Sequence, residues 1–135
     1  MALPHDYARL LILKASADFT AFQVLLSNDN VADEIIGFHA QQVIEKSLKA
    51  VLSLNSIIYR RTHDLTELTD LLSDNGIEFP LSLENAIELT PFAVEFRYDF
   101  LPPETGNVSR MERPELCEIV SSILEWARLT ILGDK

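Results

Sequence analysis

In the segment FHAQQVIEKSLKAVL, residues 38–52, the polar side chains His39, Gln42, Lys46 and Lys49 are spaced by three, four and three positions, with Glu45 beside them. On a helix that spacing draws one continuous stripe. Two ammonium groups one turn apart can hold a phosphate, and a carboxylate among them can fix their positions by charge pairing. The connection that follows adds Arg60, Arg61 and His63 and runs into Asp64, where a helix N-terminus offers a partial positive charge. Together these groups could grip phosphate. They also read as solvated charges, since charge runs are usually surface faces.

Arg97 stands apart, within Phe96-Arg97-Tyr98-Asp99-Phe100. Between Asp64 and Glu104 there are ten acidic residues and this single basic one, so the stretch carries -9 of the chain's formal charge of -10. Arg97 can pair with Glu45, Glu95 or Asp99 while its stem covers apolar surface. Its planar fork equally suits a phosphate or carboxylate in a cleft.

Several chemistries find no residues to carry them. His5, His39 and His63 lack the spacing of zinc ligands, and Cys117 is the only cysteine, so neither a metal site nor an intrachain disulfide is expected. No glycine-rich phosphate loop, dinucleotide turn or nucleophile elbow is present. Cys117 falls in an apolar helical pattern and reads as inert core. No cofactor is implied. The acidic charge makes the chain a poor general ligand for nucleic acid, because counterion release needs clustered cations. The short apolar run near the N-terminus is interrupted by charges and is no membrane span. A cytoplasmic protein is expected.

The elements that must position these groups are helical. With 135 residues, 47% of them hydrophobic, one domain over residues 1–135 with a single core is expected. Leu11, Ala15, Phe19, Phe22 and Leu26 mark a first helix over about residues 4–27, and Ser27 to Asn30 supply turn and N-cap side chains. A second helix, about residues 31–55, turns Ala40, Val43, Ile44, Ser47, Leu48, Val51 and Leu54 inward. Early in it, Gly37 suggests close approach by a neighbour. Asp64 with Glu67 forms a capping box for a third, short helix, which Asn75-Gly76 closes. A fourth begins near Ser82 with Leu83, Ile87, Val94 and Leu101 on one side, and Pro91 bends or splits it. After a loop over residues 102–109, Pro114 opens a last helix whose stripe is Leu116, Val120, Ile123, Ala127 and Ile131. With no strand-length alternation, the expected architecture is an all-α, up-and-down four-helix bundle with an additional short helix.

The block Phe38-His39-Ala40-Gln41-Gln42-Val43-Ile44-Glu45-Lys46-Ser47-Leu48-Lys49-Ala50, then Thr62-His63-Asp64-Leu65, then Phe96-Arg97-Tyr98, resembles the HEPN family (higher eukaryote and prokaryote nucleotide-binding). The first block, with its Q-Q, E-K and K-A order, is the most specific of the three, and the resemblance spans most of the chain. It implies an all-α bundle, frequently a homodimer, often paired with a small nucleotidyltransferase in a toxin–antitoxin-like arrangement. It also implies, for many members, a metal-independent ribonuclease toxin that uses an Arg followed four to six residues later by His. This chain departs from that pattern: after Arg97 it reads YDFLPPETGNVSR, without a His.

By that resemblance, Gln42, Glu45, Lys46, Lys49, His63, Arg97 and Tyr98 are the expected ligand-binding residues. Lys46, Lys49 and Arg97 would contact phosphate, Tyr98 would offer a face to a base, and Glu45 would orient a lysine or Arg97. His63 would fix the turn before the third helix. The rival reading is an ion network of Glu45, Lys46 and Arg97 that sets the register of the bundle. Three functions follow: a nucleotide- or substrate-binding module docking on a nucleotidyltransferase, a variant ribonuclease, or a purely structural helical dimer.

Overall fold

The computed structural model describes residues 4–87 and 113–133, all of them in helices and the connections between them. Three long helices dominate: α1 (Pro4–Leu26), α2 (Asp33–Leu54) and α5 (Arg113–Leu132); the short α3 (Leu65–Asp74) and α4 (Ser82–Ala86) lie between α2 and α5 in the chain. The all-α expectation holds. The continuation of the fourth helix past Pro91, the 102–109 loop, Arg97 and Tyr98 lie outside the described residues.

The core is made by the stripes that helical periodicity selects. From α1 come Ala8, Leu11, Ile12, Ala15 and Phe22; from α2, Ile36, Ala40, Val43, Ile44, Leu48 and Val51; from α5, Leu116, Val120, Ile123 and Ala127. Leu65, Leu68 and Leu72 of α3 and Leu83 of α4 close its sides. Phe19, Leu26 and Leu54, expected inside, are only partly buried. Gly37 is buried within α2.

Connections are set by polar chemistry at the helix ends. Between α1 and α2 the chain turns through Val31 N–H to Asn28 O at 3.1 Å, and the Asn28 side chain accepts from Asn30 N–H at 2.9 Å. That turn consumes the polar residues expected to cap α2. Its N-cap is Ala32, with no side-chain bond, and Asp33 and Glu34 in the first turn complement the helix dipole instead. Asp64 does cap α3, accepting from Thr66 N–H at 2.9 Å. The expected return bond from Glu67 is not made, because its carboxylate takes Arg60 Nε at 2.7 Å.

Helices α2 and α3 end in the same motif. Ile57 N–H reaches Leu52 O at 2.9 Å and Ser56 N–H reaches Ser53 O at 3.0 Å; Ile77 and Gly76 repeat both bonds onto Leu72 and Ser73. This geometry needs a left-handed residue, supplied by Gly76 at φ 71° but by Ser56 at φ 58°. Ser56 therefore carries a Cβ penalty that Gly76 avoids.

Helices α1 and α5 run antiparallel and are tied at both ends. His5 Nε2 meets Ile131 O at 3.0 Å. At the other end Arg113 donates to Leu26 O (3.0 Å), Asn28 O (3.1 Å) and Val31 O (2.9 Å), and reaches Asp33 Oδ1 at 3.4 Å. One guanidinium thus satisfies the carbonyl end of α1, which has no basic residue in its last turn. Cys117, one turn further along α5, is half-buried against the core and lines a shallow depression with Gln23, Leu26 and Arg113. Among the described residues no helix is long and apolar enough to cross a membrane.

Candidate functional site

The polar stripe of α2 is not a solvated face. Glu45, at 5% exposure, is buried, and its two oxygens are fully engaged. Oε2 accepts from Lys49 Nζ at 2.7 Å, while Oε1 accepts from Gln41 Nε2 at 2.9 Å and meets His63 Nδ1 at 3.0 Å. A carboxylate can only accept, so the imidazole donates from Nδ1. Burial pushes the Glu45 carboxyl up, but the hydrogen bonds of Lys49, His63 and Gln41, with the Lys49 charge, outweigh it and hold the group below its ordinary value. Glu45 is therefore an ionised, organised acceptor inside the fold.

From Glu45 the bonds run along the helix in a fixed direction. Gln41 Nε2 also donates to His63 O at 3.1 Å, and Gln41 Oε1 accepts from Gln42 Nε2 at 2.7 Å. Gln42 Oε1 in turn accepts from Lys46 Nζ at 3.1 Å, and Lys46 Nζ lies 2.7 Å from Asp18 Oδ2 of α1. Each amide can satisfy its neighbours in one orientation only, so both are locked. Hydrogen bonds therefore link α2 to the α2–α3 connection, and the Lys46–Asp18 ion pair, which is close in distance but not aligned as a hydrogen bond, extends the network to α1.

The charges are balanced: Lys46 against Asp18, Lys49 against Glu45. Both ammonium groups keep some exposure, and each has three donors, so a phosphate could take what the carboxylates leave. Lys49 Nζ also stands 5.8 Å from the centre of the Tyr59 ring, within cation–π range. Tyr59 OH lies 3.3 Å from Ser53 Oγ. Burial raises the Tyr59 phenol above its ordinary value, against the lowering contact with Ser53, and Tyr7 and Glu45 act upward as well.

Of the expected ligand residues, the structure brings together Gln42, Glu45, Lys46, Lys49 and His63. Arg97 and Tyr98 are outside the described residues. Gln41, Asp18 and Tyr59 were missed. Gln41 was detectable in principle, one turn before Glu45, but Asp18 and Tyr59 join only through tertiary packing. The partner of Lys46 is Asp18, not Glu45 as an ion network of neighbours would have it. His39 instead stands edge-on to Phe38, ring centres 5.5 Å apart.

Arg60 makes its ion pair away from the stripe. Arg60 turns to Glu67 and lines an open groove of about 460 Å³ with Asp64, Asp70 and Asp74, an acid-rich lining that repels anions; Arg61 is exposed. Among the described residues no three His, Cys, Asp or Glu side chains gather to hold a metal ion.

The sequence matches the family model described as HEPN domain over residues 8–130. It is also 46% identical over 55 residues to "Putative toxin MJ1304" of Methanocaldococcus jannaschii, a match covering 41% of this chain and 35% of that protein. The chain thus matches about a third of the length of that curated relative. No solved structure matches.

Proposed function

The chain belongs to the HEPN domain family, and from that premise we propose that it is a binding module for a phosphate-bearing, nucleotide-type ligand, working beside a small nucleotidyltransferase. The observation that carries this reading is the Glu45 network. A buried, ionised carboxylate and two locked amides hold Lys46 and Lys49 on one stripe with His63 at its edge. Pre-positioned ammonium groups with spare donors lose little freedom when they take up phosphate. The absence of a His four to six residues after Arg97 argues against the usual ribonuclease chemistry.

A second reading, a variant ribonuclease toxin, is favoured by one specific contact. Glu45 orients the His63 imidazole at 3.0 Å, as a carboxylate orients a general base. The name of the archaeal relative points the same way. Calorimetric titration of the purified chain with ATP, GTP and AMP tests the first reading. Binding should weaken at least ~10-fold in Lys49→Ala and in Arg97→Ala, in line with loss of a charge-assisted bond. Titrations that are flat, or unchanged in both variants, would sink it.

A further inference from the structure

Helix α2 is shut in on nearly every side. From Gln41 to Ser53 only four residues escape burial: Gln42, Lys46, Lys49 and Ser53. Their spacing of four, three and four positions, at about 100° per residue, keeps them within roughly 60° of one another. The helix thus opens one narrow polar strip, roughly 17 Å long at 1.5 Å per residue. Helix α1 borders the strip at Asp18, which meets Lys46, and the α2–α3 connection borders it at His63 and Tyr59.

The two ends of the strip differ in chemistry. Toward Gln42 it carries charge, in Lys46 and Lys49 with their acidic partners. At Ser53 it is aromatic and rich in hydroxyls. The Tyr59 phenol stands 3.3 Å from Ser53 Oγ, and the Lys49 ammonium lies 5.8 Å from the centre of the Tyr59 ring. The Tyr7 phenol, from α1, comes close enough to bear on the ionisation of Tyr59. Tyr59 is half-buried, whereas Tyr7 is 46% exposed, so the corner presents an aromatic surface to solvent beside a cluster of three hydroxyls.

We propose that Tyr7, Ser53 and Tyr59 form the nucleoside end of the ligand site, an inference that rests on the phosphate-binding reading above and gives the ligand a direction. Its phosphates lie over Lys46 and Lys49, its sugar beside Ser53, and its base against Tyr7 with the Tyr59 hydroxyl at the base edge. The rise along the helix is about 4.5 Å from Lys46 to Lys49 and about 6 Å more to Ser53, so successive phosphates and then a sugar can follow the strip in order. The ligand class is a nucleoside polyphosphate. Each hydroxyl both donates and accepts, which suits sugar hydroxyls and base edges alike. Stacking on tyrosine accepts any base, because every base has a π-face. Lys49 joins the two ends, bonded to Glu45 and set against the Tyr59 ring.

Calorimetric titration of the full chain with ATP and with inorganic tripolyphosphate separates the two ends. The wild type should bind ATP at least ~5-fold more tightly than tripolyphosphate, the gain expected of one stacked base. Tyr7→Ala should bring that preference close to parity. Tyr59→Phe, which keeps the ring and its packing, should reduce it at least ~2-fold through loss of one hydrogen bond. Lys49→Ala should weaken both ligands. Circular dichroism should show unchanged helix content in each variant. ATP and tripolyphosphate bound equally by the wild type, or a preference unchanged in both tyrosine variants, would overturn the nucleoside end while leaving the lysine site standing. No binding of either ligand would overturn both.

Discussion

Replacing Glu45 by Gln keeps the shape of the side chain and removes its charge. In the folded protein this leaves Lys49 without its 2.7 Å carboxylate partner and presents an amide where Lys49, Gln41 and His63 all donate. One of those donors must then face an N–H group. Breaking a buried ion pair by removing one member costs about 3–5 kcal/mol. Lys49 and His63 retain 15% and 28% side-chain exposure, so water recovers part of that, and we expect a loss of about 2–3 kcal/mol.

The pH dependence gives the same prediction a second handle. The Glu45 carboxyl titrates lower in the folded chain than in the unfolded one, where it lies near ~4.3. Its stabilising contribution is therefore present above that unfolded value and is lost as pH falls through the lower, folded one. Urea unfolding followed by far-ultraviolet circular dichroism, at neutral pH and in steps below about pH 5, reads both effects. Glu45→Gln should lower the neutral-pH stability and flatten the acid limb. A variant within ~0.5 kcal/mol of wild type, with an unchanged acid limb, would refute the view that Glu45 is the organising charge.

Other substitutions probe the frame around the site. Ser56→Gly should stabilise by about 1 kcal/mol in the same unfolding assay, since it relieves a left-handed Ser; Gly76→Ala should destabilise by a similar amount at the matching position of α3. Arg113→Ala should cost about 2 kcal/mol, having removed the donor to three carbonyls at the α1–α2 junction, and Arg113→Lys should recover little, because one ammonium cannot span Leu26, Asn28 and Val31.

Much of the frame was legible because helical periodicity is a local signal. The inward residues of α2 and α5, the Asp64 cap and the left-handed close at Gly76 all follow from neighbours within a few positions. The capping box failed at Glu67 because Arg60, seven residues earlier, competes for its carboxylate. The site was half legible for the same reason. Lys49 with Glu45 is a one-turn pair, whereas Asp18 reaches Lys46 only once α1 packs on α2. Nothing local marks Arg113, and only the fold shows that it closes a helix that ended eighty-seven positions earlier, at Leu26.

The central question is whether this HEPN chain binds or cuts. The most direct measurement is incubation of a mixed RNA pool with the purified wild-type protein in EDTA, beside Arg97→Ala and His63→Ala variants prepared identically. A binding module leaves the RNA intact in all three. Cleavage by the wild type that disappears in Arg97→Ala or His63→Ala, with the folded state of each variant preserved, would contradict that reading and make the Glu45–His63 pair part of a nuclease.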